Sequence, residues 1–284
     1  MIGLYLLLSA PLLLAQLVPA GSGGAASPTV AGLLLVHLGL GSLLAGGWPD
    51  LPRGAGAPPR VADLLPFLAF PLLYLEVPLL NQVLVEGFSD PVVVAWEARW
   101  FGDPSRTLAT RWPWRWLSEG LHLAYLAYYL LVAVPPLLLF VGQNGPGLRA
   151  MGTGAVLAYV PALLIYPFLP VEGPRYAGPP PDVPSGPVRE MLLGILEAGS
   201  SQGTAFPSLH MAVALAVSMV LLVVRPRLGV VAILLTAAMG TGAVYGGFHY
   251  AVDLVAGGCA GVVGGSVGGW LAWRSGGCTP PRRR

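Results

Sequence analysis

Two of the four histidines in this chain lie in short polar stretches that border long apolar runs. The first stretch, residues 206–210, reads FPSLH, and the second, residues 245–253, contains His249 and Asp253. These two residues are four positions apart, so on a helix their side chains share a face and touch. A histidine held by a carboxylate, with a second histidine nearby, supplies a nucleophile, an orienting group and an acid. The pattern therefore favours an enzyme.

The stretch at residues 206–210 has the features of a phosphate site at the start of a helix. Pro207 fits the first turn of a helix, where the missing N–H has no consequence, and Thr204 fits the N-cap. The free N–H groups of such a helix attract phosphate, the Ser208 hydroxyl adds a donor, and His210 is close enough to protonate a leaving oxygen. The alternative is an ordinary helix start with a histidine that anchors it at the membrane surface.

The second stretch places a carboxylate, Asp253, near the start of an apolar run, where an unpaired charge is costly. A hydrogen bond to His249 makes the position tolerable and leaves the lone pair of the other ring nitrogen free. A structural His–Asp pair that ties two helix ends together is one alternative. A metal site is another, because His210, His249 and Asp253 match a ligand set for iron or zinc. No histidine-rich tract and no cysteine near the pair supports that metal site.

Further polar groups within or beside apolar segments are candidates for contacts to a substrate. Arg175 can clamp a phosphate through two N–H groups with Glu172 as its partner, or it is an arginine in an exposed loop. His122 heads an apolar segment that also carries Tyr125, and Glu76 lies in the middle of another. Ionisable groups inside a membrane are functional by default, although hydrogen bonding between helices is the more common role.

The composition is that of a protein that crosses a membrane several times. Of the 284 residues, 55% are hydrophobic and only 10% are charged, whereas soluble domains carry about 25% charged residues. So few charges do not cover the surface of a soluble protein of this size. The formal net charge of +2 is too small to indicate a nucleic-acid partner, and the two cysteines imply no disulfide framework.

A helix that spans a bilayer needs about 20 predominantly apolar residues, and the sequence offers several such segments. The eight predicted spans are residues 2–19, 29–47, 61–86, 119–141, 148–170, 206–224, 228–247 and 250–273. The first can instead be a signal peptide, since Val18-Pro19-Ala20 resembles a cleavage site. Because no charged residue precedes its apolar run, we favour a helix that is retained.

The distribution of arginine predicts the orientation of these spans, because cytoplasmic loops carry an excess of positive charge. With eight spans, one side holds nine arginines and the other holds six. The nine are Arg53, Arg60, Arg149, Arg225, Arg227, Arg274, Arg282, Arg283 and Arg284. We predict that the nine-arginine side is cytoplasmic. His210 and His249 then lie at the extracytoplasmic face of a bacterial-type inner (plasma) membrane.

Two connections between the predicted spans have unusual compositions. Residues 88–118 hold five of the eight tryptophans with four arginines between them, and Trp96 and Trp100 follow helical spacing. Part of this connection is predicted to lie flat at the membrane surface, either as an aromatic belt or as a grip on a lipid headgroup. Residues 171–205 are rich in proline and glycine and cannot be helical throughout.

Together, the stretches at residues 172–175, 207–210 and 249–253 resemble the type 2 phosphatidic acid phosphatase superfamily. That family shows a Lys/Arg-Pro block, then Pro-Ser-Gly-His, then Ser-Arg followed by a histidine and an aspartate four residues later. The inositol phosphorylceramide synthase-like branch is the more similar one, since it reads Phe-Pro-Ser-Leu-His and His-Tyr-x-x-Asp. The resemblance covers residues 61–273.

The chain departs from this family pattern in each block. Leu209 replaces the glycine of the second block, Gly242 and Ala243 occupy the Ser-Arg positions of the third, and no lysine begins the first. One phosphate-binding arginine is therefore missing. This loss fits a phosphodiester or a bulky headgroup better than a bare monoester.

The resemblance implies an all-α fold for a polytopic membrane protein. About eight transmembrane helices are expected, with the six-helix core that the family shares with vanadium haloperoxidases. Residues 1–60 are predicted to form two N-terminal transmembrane helices, residues 61–273 the catalytic membrane domain, and residues 274–284 an arginine-rich cytoplasmic tail.

The resemblance also implies a role for each site residue, without a metal or an organic cofactor. His249 attacks phosphorus and forms a phosphohistidine, Asp253 orients it, and His210 protonates the leaving oxygen and then activates water or an acceptor hydroxyl. The residues implied to bind the substrate phosphate are Arg175, Ser208 and Leu209. The candidates for lipid or headgroup contacts are Glu172, Tyr245, His122 and Tyr125.

The implied function is that of a lipid phosphatase or phosphotransferase whose partners are the membrane and a lipid phosphate. Within the family, the alternative is a phosphoalcohol transferase like inositol phosphorylceramide synthase. From another class, the alternative is a transporter or scaffold that keeps the fold and uses the His–Asp pair as a proton relay. Internal inverted repeats would favour transport, and the sequence shows none.

Overall fold

The computed structural model describes residues 2–15, 32, 37–39, 57–177 and 182–278. Its α-helices in chain order are α1 (Ile2–Ala15), α2 (Leu65–Tyr74), α3 (Val77–Leu80), α4 (Asp90–Phe101), α5 (Pro104–Arg111), α6 (Arg115–Val141), α7 (Gly145–Ile165), α8 (Pro187–Gly199), α9 (Leu209–Val224), α10 (Pro226–Tyr245) and α11 (Ala251–Arg274). A 3-10 helix, Val61–Leu64, precedes α2. Within the described ranges the chain has no β-strand, only an isolated bridge between Val171 and Thr204. The all-α prediction is confirmed for these residues.

Four helices, α6, α7, α10 and α11, are long and apolar enough to cross a membrane. They agree within a few residues with four of the predicted spans, and α9 is a shorter apolar helix at a fifth. The chain is therefore an integral membrane protein, as its composition predicted. The total of eight spans stays a prediction, because most of residues 29–47 and the tail at 279–284 lie outside the described residues.

The single span predicted over residues 61–86 is wrong. This segment is divided into the 3-10 helix, α2 and α3, with Glu76 in the break before α3. Pro66 and Pro78 stand in the first turns of α2 and α3, and Pro71 lies inside α2. A proline lacks the N–H that continues a helix and disfavours helical geometry in the residue before it, so Pro66 and Pro78 favour new helix starts, whereas α2 continues through Pro71.

The last described helix, α11, packs against α7 and α9 through glycines. A Cβ on Gly264 would lie 2.3 Å from the carbonyl oxygen of Gly154 in α7. A Cβ on Gly257 would lie 2.2 Å from the carbonyl oxygen of Ser208, whose N–H donates to the Asp253 carbonyl at 3.0 Å. Helix backbones approach this closely only where side chains are absent. The start of α11 is thereby fixed against the start of α9.

The tryptophan-rich connection forms the two helices α4 and α5 beside the transmembrane bundle. The predicted helical spacing is confirmed, since the rings of Trp96 and Trp100 stack with centroids 6.3 Å apart in α4. Trp100 is 64% exposed, whereas the opposite face of α4 buries Asp90, Val93 and Glu97. An exposed tryptophan suits both the aromatic belt and the headgroup grip, so that choice stays open.

Candidate active site

The site is built around the turn that joins α10 to α11. His249 lies in this turn and Asp253 in the first turn of α11, with 3.3 Å between Nδ1 and Oδ2. The predicted contact is confirmed, but a shared helix face does not produce it, because α11 begins only at Ala251. Instead, Asp253 reaches back and accepts a hydrogen bond from the N–H of the N-cap residue Tyr250 at 2.8 Å. The helix start therefore delivers the carboxylate to the histidine.

The contacts of the His249 ring define which nitrogen carries the hydrogen. Nδ1 faces two acceptors, the carbonyl oxygen of Ala205 at 3.1 Å and the carboxylate of Asp253. A nitrogen between two acceptors must donate, so Nδ1 is protonated and Nε2 keeps its lone pair. Nε2 lies 3.4 Å from the Ser208 hydroxyl oxygen. The nitrogen that keeps its lone pair is thus the one away from the carboxylate.

The environment keeps this imidazole neutral. Burial lowers the pKa of His249 to about 4, although the hydrogen bond to the Ala205 carbonyl acts in the opposite direction. At pH 7 the lone pair on Nε2 is therefore available, and it is lost only when acid protonates the ring. Asp253 is fully buried, and its Oδ1 has no hydrogen-bond partner among the described residues. The other oxygen, Oδ2, faces Nδ1 and fixes the orientation of the His249 ring.

The second sequence block forms the start of α9, with one correction to the predicted boundary. The helix begins at Leu209, and its N-cap is Ser208, whose hydroxyl accepts a hydrogen bond from the Met211 N–H at 3.4 Å. The predicted N-cap, Thr204, is too far upstream, and its hydroxyl contacts that of Tyr74 at 2.9 Å. The first-turn N–H groups of α9, including that of Leu209, lack acceptors within the helix and suit phosphate oxygens.

His210 lies in the first turn of α9, next to the His–Asp pair. Its ring centroid is 5.8 Å from that of His249. On α6, the rings of Tyr128 and Tyr125 pack against it at 4.4 and 5.3 Å. The structure therefore brings all three predicted catalytic residues together at one end of the bundle.

These three residues do not form a metal-binding group. In the part of the chain that the structure describes, no cluster of three or more His, Cys, Asp or Glu side chains could hold a metal ion. Nδ1 of His249 and Oδ2 of Asp253 face each other, so these two atoms are not directed at a common metal position. The arrangement favours acid–base and nucleophilic chemistry over the iron or zinc alternative.

Arg175 lies in the loop between α7 and α8, where it is largely buried. Its guanidinium stacks on the ring of Tyr176 at 4.9 Å, and Nη2 lies 3.9 Å from Oε1 of Glu197. The prediction that Glu172 pairs with it is wrong. The backbone N–H of Glu172 donates to Asp90, and burial together with the Asp90 charge raises the pKa of the Glu172 carboxyl.

The geometry agrees with a comparison of the sequence with known families. The sequence model of the PAP2 superfamily matches residues 92–267, from α4 into α11. The chain belongs to the PAP2 superfamily. No curated protein and no solved structure matches the chain. Membership supports the predicted class of phosphatases and phosphotransferases, while the inositol phosphorylceramide synthase-like branch stays a prediction.

This PAP2 chain uses the Ser-Arg positions of the third block for helix packing. A Cβ on Gly242 would lie 2.3 Å from the Leu121 carbonyl oxygen, so the backbones of α10 and α6 touch. Ala243 is fully buried, and its carbonyl accepts the N–H groups of Phe248 and His249 at 2.9 and 3.2 Å. Any side chain is excluded at Gly242, and a larger one at Ala243 would enter a fully buried position. Cations near the site therefore belong to other elements.

Arg189 of α8 is the cation that the sequence analysis missed. Its Nε is buried and has no hydrogen-bond partner within the described ranges. Burial, and next the charge of Arg175, lower the pKa of Arg189, so the two guanidinium groups are neighbours. The carboxylate of Glu119 in α6 accepts the N–H groups of Val188 and Arg189 at 2.9 and 3.2 Å, which fixes the start of α8. Two adjacent guanidinium groups suit a phosphate.

The candidates for headgroup contacts in this PAP2 protein differ in what their polar atoms already bind. Tyr125 is buried beside the histidine of α9. Nδ1 of His122 donates to the Ser118 carbonyl at 2.6 Å, and its buried Nε2 has no partner among the described residues. The Tyr245 hydroxyl donates to the Trp112 carbonyl at 2.8 Å. Of these, His122 is the one with a buried acceptor still free.

An apolar cavity of about 520 Å³ lies beside the PAP2 site. Its walls come from α2, α6, α8 and α9, and include Phe67, Val132, Leu196 and Tyr128, with His210 in the same wall. The volume is typical of ligand pockets, and the lining suits hydrocarbon chains. His210 therefore borders an apolar space on this side.

Proposed function

We propose that this PAP2 protein cleaves a lipid phosphate through a phosphohistidine intermediate, as a membrane phosphatase or phosphotransferase. The orientation of His249 carries the proposal: Nδ1 is bonded to Asp253, and Nε2 is left with its lone pair. The second histidine stands 5.8 Å away between ring centroids, close enough for both rings to contact one phosphoryl group. The apolar cavity beside His210 supports a substrate with hydrocarbon chains.

The first half-reaction forms the intermediate. Nε2 of His249 attacks phosphorus, the N–P bond forms, and the bond from phosphorus to the lipid or headgroup oxygen breaks. His210 in its protonated form gives its proton to that departing oxygen. Asp253 stabilises the positive charge that appears on the His249 ring.

The second half-reaction returns the enzyme to its starting state. Neutral His210 removes a proton from water or from an acceptor hydroxyl, and the resulting oxygen attacks phosphorus as the N–P bond to His249 breaks. Arg175, Arg189 and the N–H groups at the start of α9 hold the phosphoryl oxygens while charge shifts in both steps. Water gives a phosphatase, and an alcohol gives a transferase.

Two features support the finer parts of this proposal. The arginine bias supports a site at the extracytoplasmic leaflet. The missing arginine at Ala243 fits a phosphodiester or a bulky headgroup, which favours a transferase of the inositol phosphorylceramide synthase-like kind as the second candidate.

The direct test is an assay of the purified protein against a panel of lipid phosphates, with and without inositol or ceramide. We expect turnover that survives chelators and is inhibited by vanadate, which mimics the transition state of phosphoryl transfer. A phosphorylated acceptor in place of inorganic phosphate would identify a transferase. Zinc or iron that is lost together with activity on chelation would favour the metal triad instead, and absence of turnover across the panel would favour the transporter or scaffold.

The role of His210 as the general acid predicts a dependence on the leaving group. His210→Ala should slow cleavage most when the leaving group is a lipid alkoxide, which needs a proton, and least with an activated aryl phosphate, which leaves without one. The measurement is kcat/KM of wild type and variant on both substrates, so the aryl phosphate is the internal control for folding. Equal losses on both substrates would contradict the assignment.

A further inference from the structure

Two buried carboxylates of α4 have no part in the mechanism above. Asp90 and Glu97 are 5% and 1% exposed, and they lie two helical turns apart on the inner face of α4. Carboxylates are almost never buried unless their oxygens are satisfied. What they bind therefore indicates what α4 does for the site.

Glu97 binds the start of α11. Its Oε1 accepts the Ala251 N–H and its Oε2 accepts the Val252 N–H, each at 3.1 Å. These are the first two residues of α11, directly between His249 and Asp253. A negative charge at a helix N-terminus also interacts favourably with the helix dipole. Both oxygens of Glu97 are thus committed to the segment that carries the proposed nucleophile and its orienting carboxylate.

Asp90 ties that same segment to the phosphate-binding loop. Its Oδ2 accepts the Glu172 N–H at 2.8 Å, and its Oδ1 accepts the Gly173 N–H at 2.9 Å. Oδ1 also accepts the hydroxyl of Tyr250 at 3.1 Å, and Tyr250 is the neighbour of His249 in sequence. One carboxylate therefore joins the loop before Arg175 to the turn that holds the histidine.

We propose that Asp90 and Glu97 are positioning residues that hold the first and third sequence blocks in register across the bound phosphate. This inference rests on the proposed function. The two blocks are distant in sequence and lie in a loop and a turn, so neither helix packing nor local geometry alone sets their separation. Charge-assisted hydrogen bonds are short and directional, and misplacement of a catalytic group by about 1 Å can lower a rate about 100-fold. Helix α4 serves as their common anchor.

The primary test is Glu97→Gln, which keeps the size of the side chain. One carboxylate oxygen becomes an NH2 group that faces a backbone N–H, so one of the two hydrogen bonds to α11 is lost. We expect kcat to fall about 10- to 100-fold while KM changes little, because the lipid cavity is untouched. The matched control is Glu86→Gln, the same change at an exposed position just before α4, which should behave as wild type.

A second readout does not require activity. Diethyl pyrocarbonate acylates neutral imidazoles that it can reach, and its rate at each histidine is measured by mass spectrometry of peptides. His249 is 5% exposed and should react slowly in wild type and in Glu86→Gln, and faster in Glu97→Gln. His37, buried against Ser9 and Glu76, is the internal reference and should react at the same rate in all three.

Tyr250→Phe provides a milder variant if Glu97→Gln folds poorly. It removes only the hydroxyl that donates to Asp90, and we expect a smaller fall in kcat with the melting temperature close to wild type. Unchanged kcat and unchanged reactivity of His249 in both variants would overturn the positioning role. Absence of wild-type turnover on the whole lipid panel would instead overturn the proposed function, and the histidine reactivity would still decide whether α4 positions the turn.

Discussion

Replacing His249 by alanine is expected to abolish turnover of lipid phosphates. The variant lacks the His249 ring nitrogen, whose lone pair lies beside the second histidine, so no phosphohistidine can form at this position. The measurement is the initial rate in detergent micelles, together with trapping of the acid-labile phosphoenzyme from labelled substrate. His249→Gln, which keeps a polar side chain of similar reach, should be equally inactive.

This prediction separates the main alternatives. If either His249 variant retains cleavage, the nucleophile lies elsewhere and the proposed mechanism is wrong. A different result would favour a transporter. In that case, wild type and variants would all lack cleavage activity, but substitution of the His–Asp pair would abolish proton-coupled flux in vesicles, as expected for a proton relay.

Asp253→Asn is expected to lower kcat about 10³- to 10⁴-fold, by analogy with catalytic triads in which the orienting carboxylate is neutralised. The amide still fills the space and can accept the Tyr250 N–H, so the start of α11 should keep its form. It carries no charge to stabilise the His249 cation that forms on attack. Stopped-flow or initial-rate measurements of kcat give the effect, and circular dichroism checks the fold.

The control for that variant is Asp103→Asn. This carboxylate is 37% exposed in its side chain and interacts weakly with Arg106 at 3.9 Å, away from the catalytic pair. We expect its kcat to equal that of wild type. A loss of less than about tenfold in Asp253→Asn would show that the pair is structural, which was the alternative left open by the sequence.

The long helices were predictable because hydropathy reports burial in a membrane directly. The predicted spans at 119–141, 228–247 and 250–273 differ from α6, α10 and α11 by a few residues at each end. Helix ends depend on caps, which is why the start of α9 shifted from Thr204 to Ser208. The prediction of a single span at 61–86 failed because mean hydropathy is insensitive to the prolines at the helix starts within it.

The site could be predicted only where the residues in contact are close together in the sequence. The contact of His249 and Asp253 followed from their spacing, although the hydrogen bond from the Tyr250 N–H to Asp253 at the helix start produces it. Arg189 was counted only for orientation, because nothing near it in sequence points to Arg175. Asp90 and Glu97 were missed for the same reason, since their acceptor atoms meet residues far along the chain. Tertiary contacts of this kind leave no periodic signal.

The glycine contacts of α11 also bear on how the protein is made. Every other described helix precedes α11 in the chain, so ribosomal synthesis and membrane insertion deliver it after them. Its N-terminal turn brings in Asp253 together with His249, and Gly257 must settle against Ser208 before the two blocks face each other. A nascent chain with only the preceding helices inserted therefore has the walls of the apolar cavity but not the His–Asp pair. Under the proposed function, such a chain is expected to be inactive until α11 is in place.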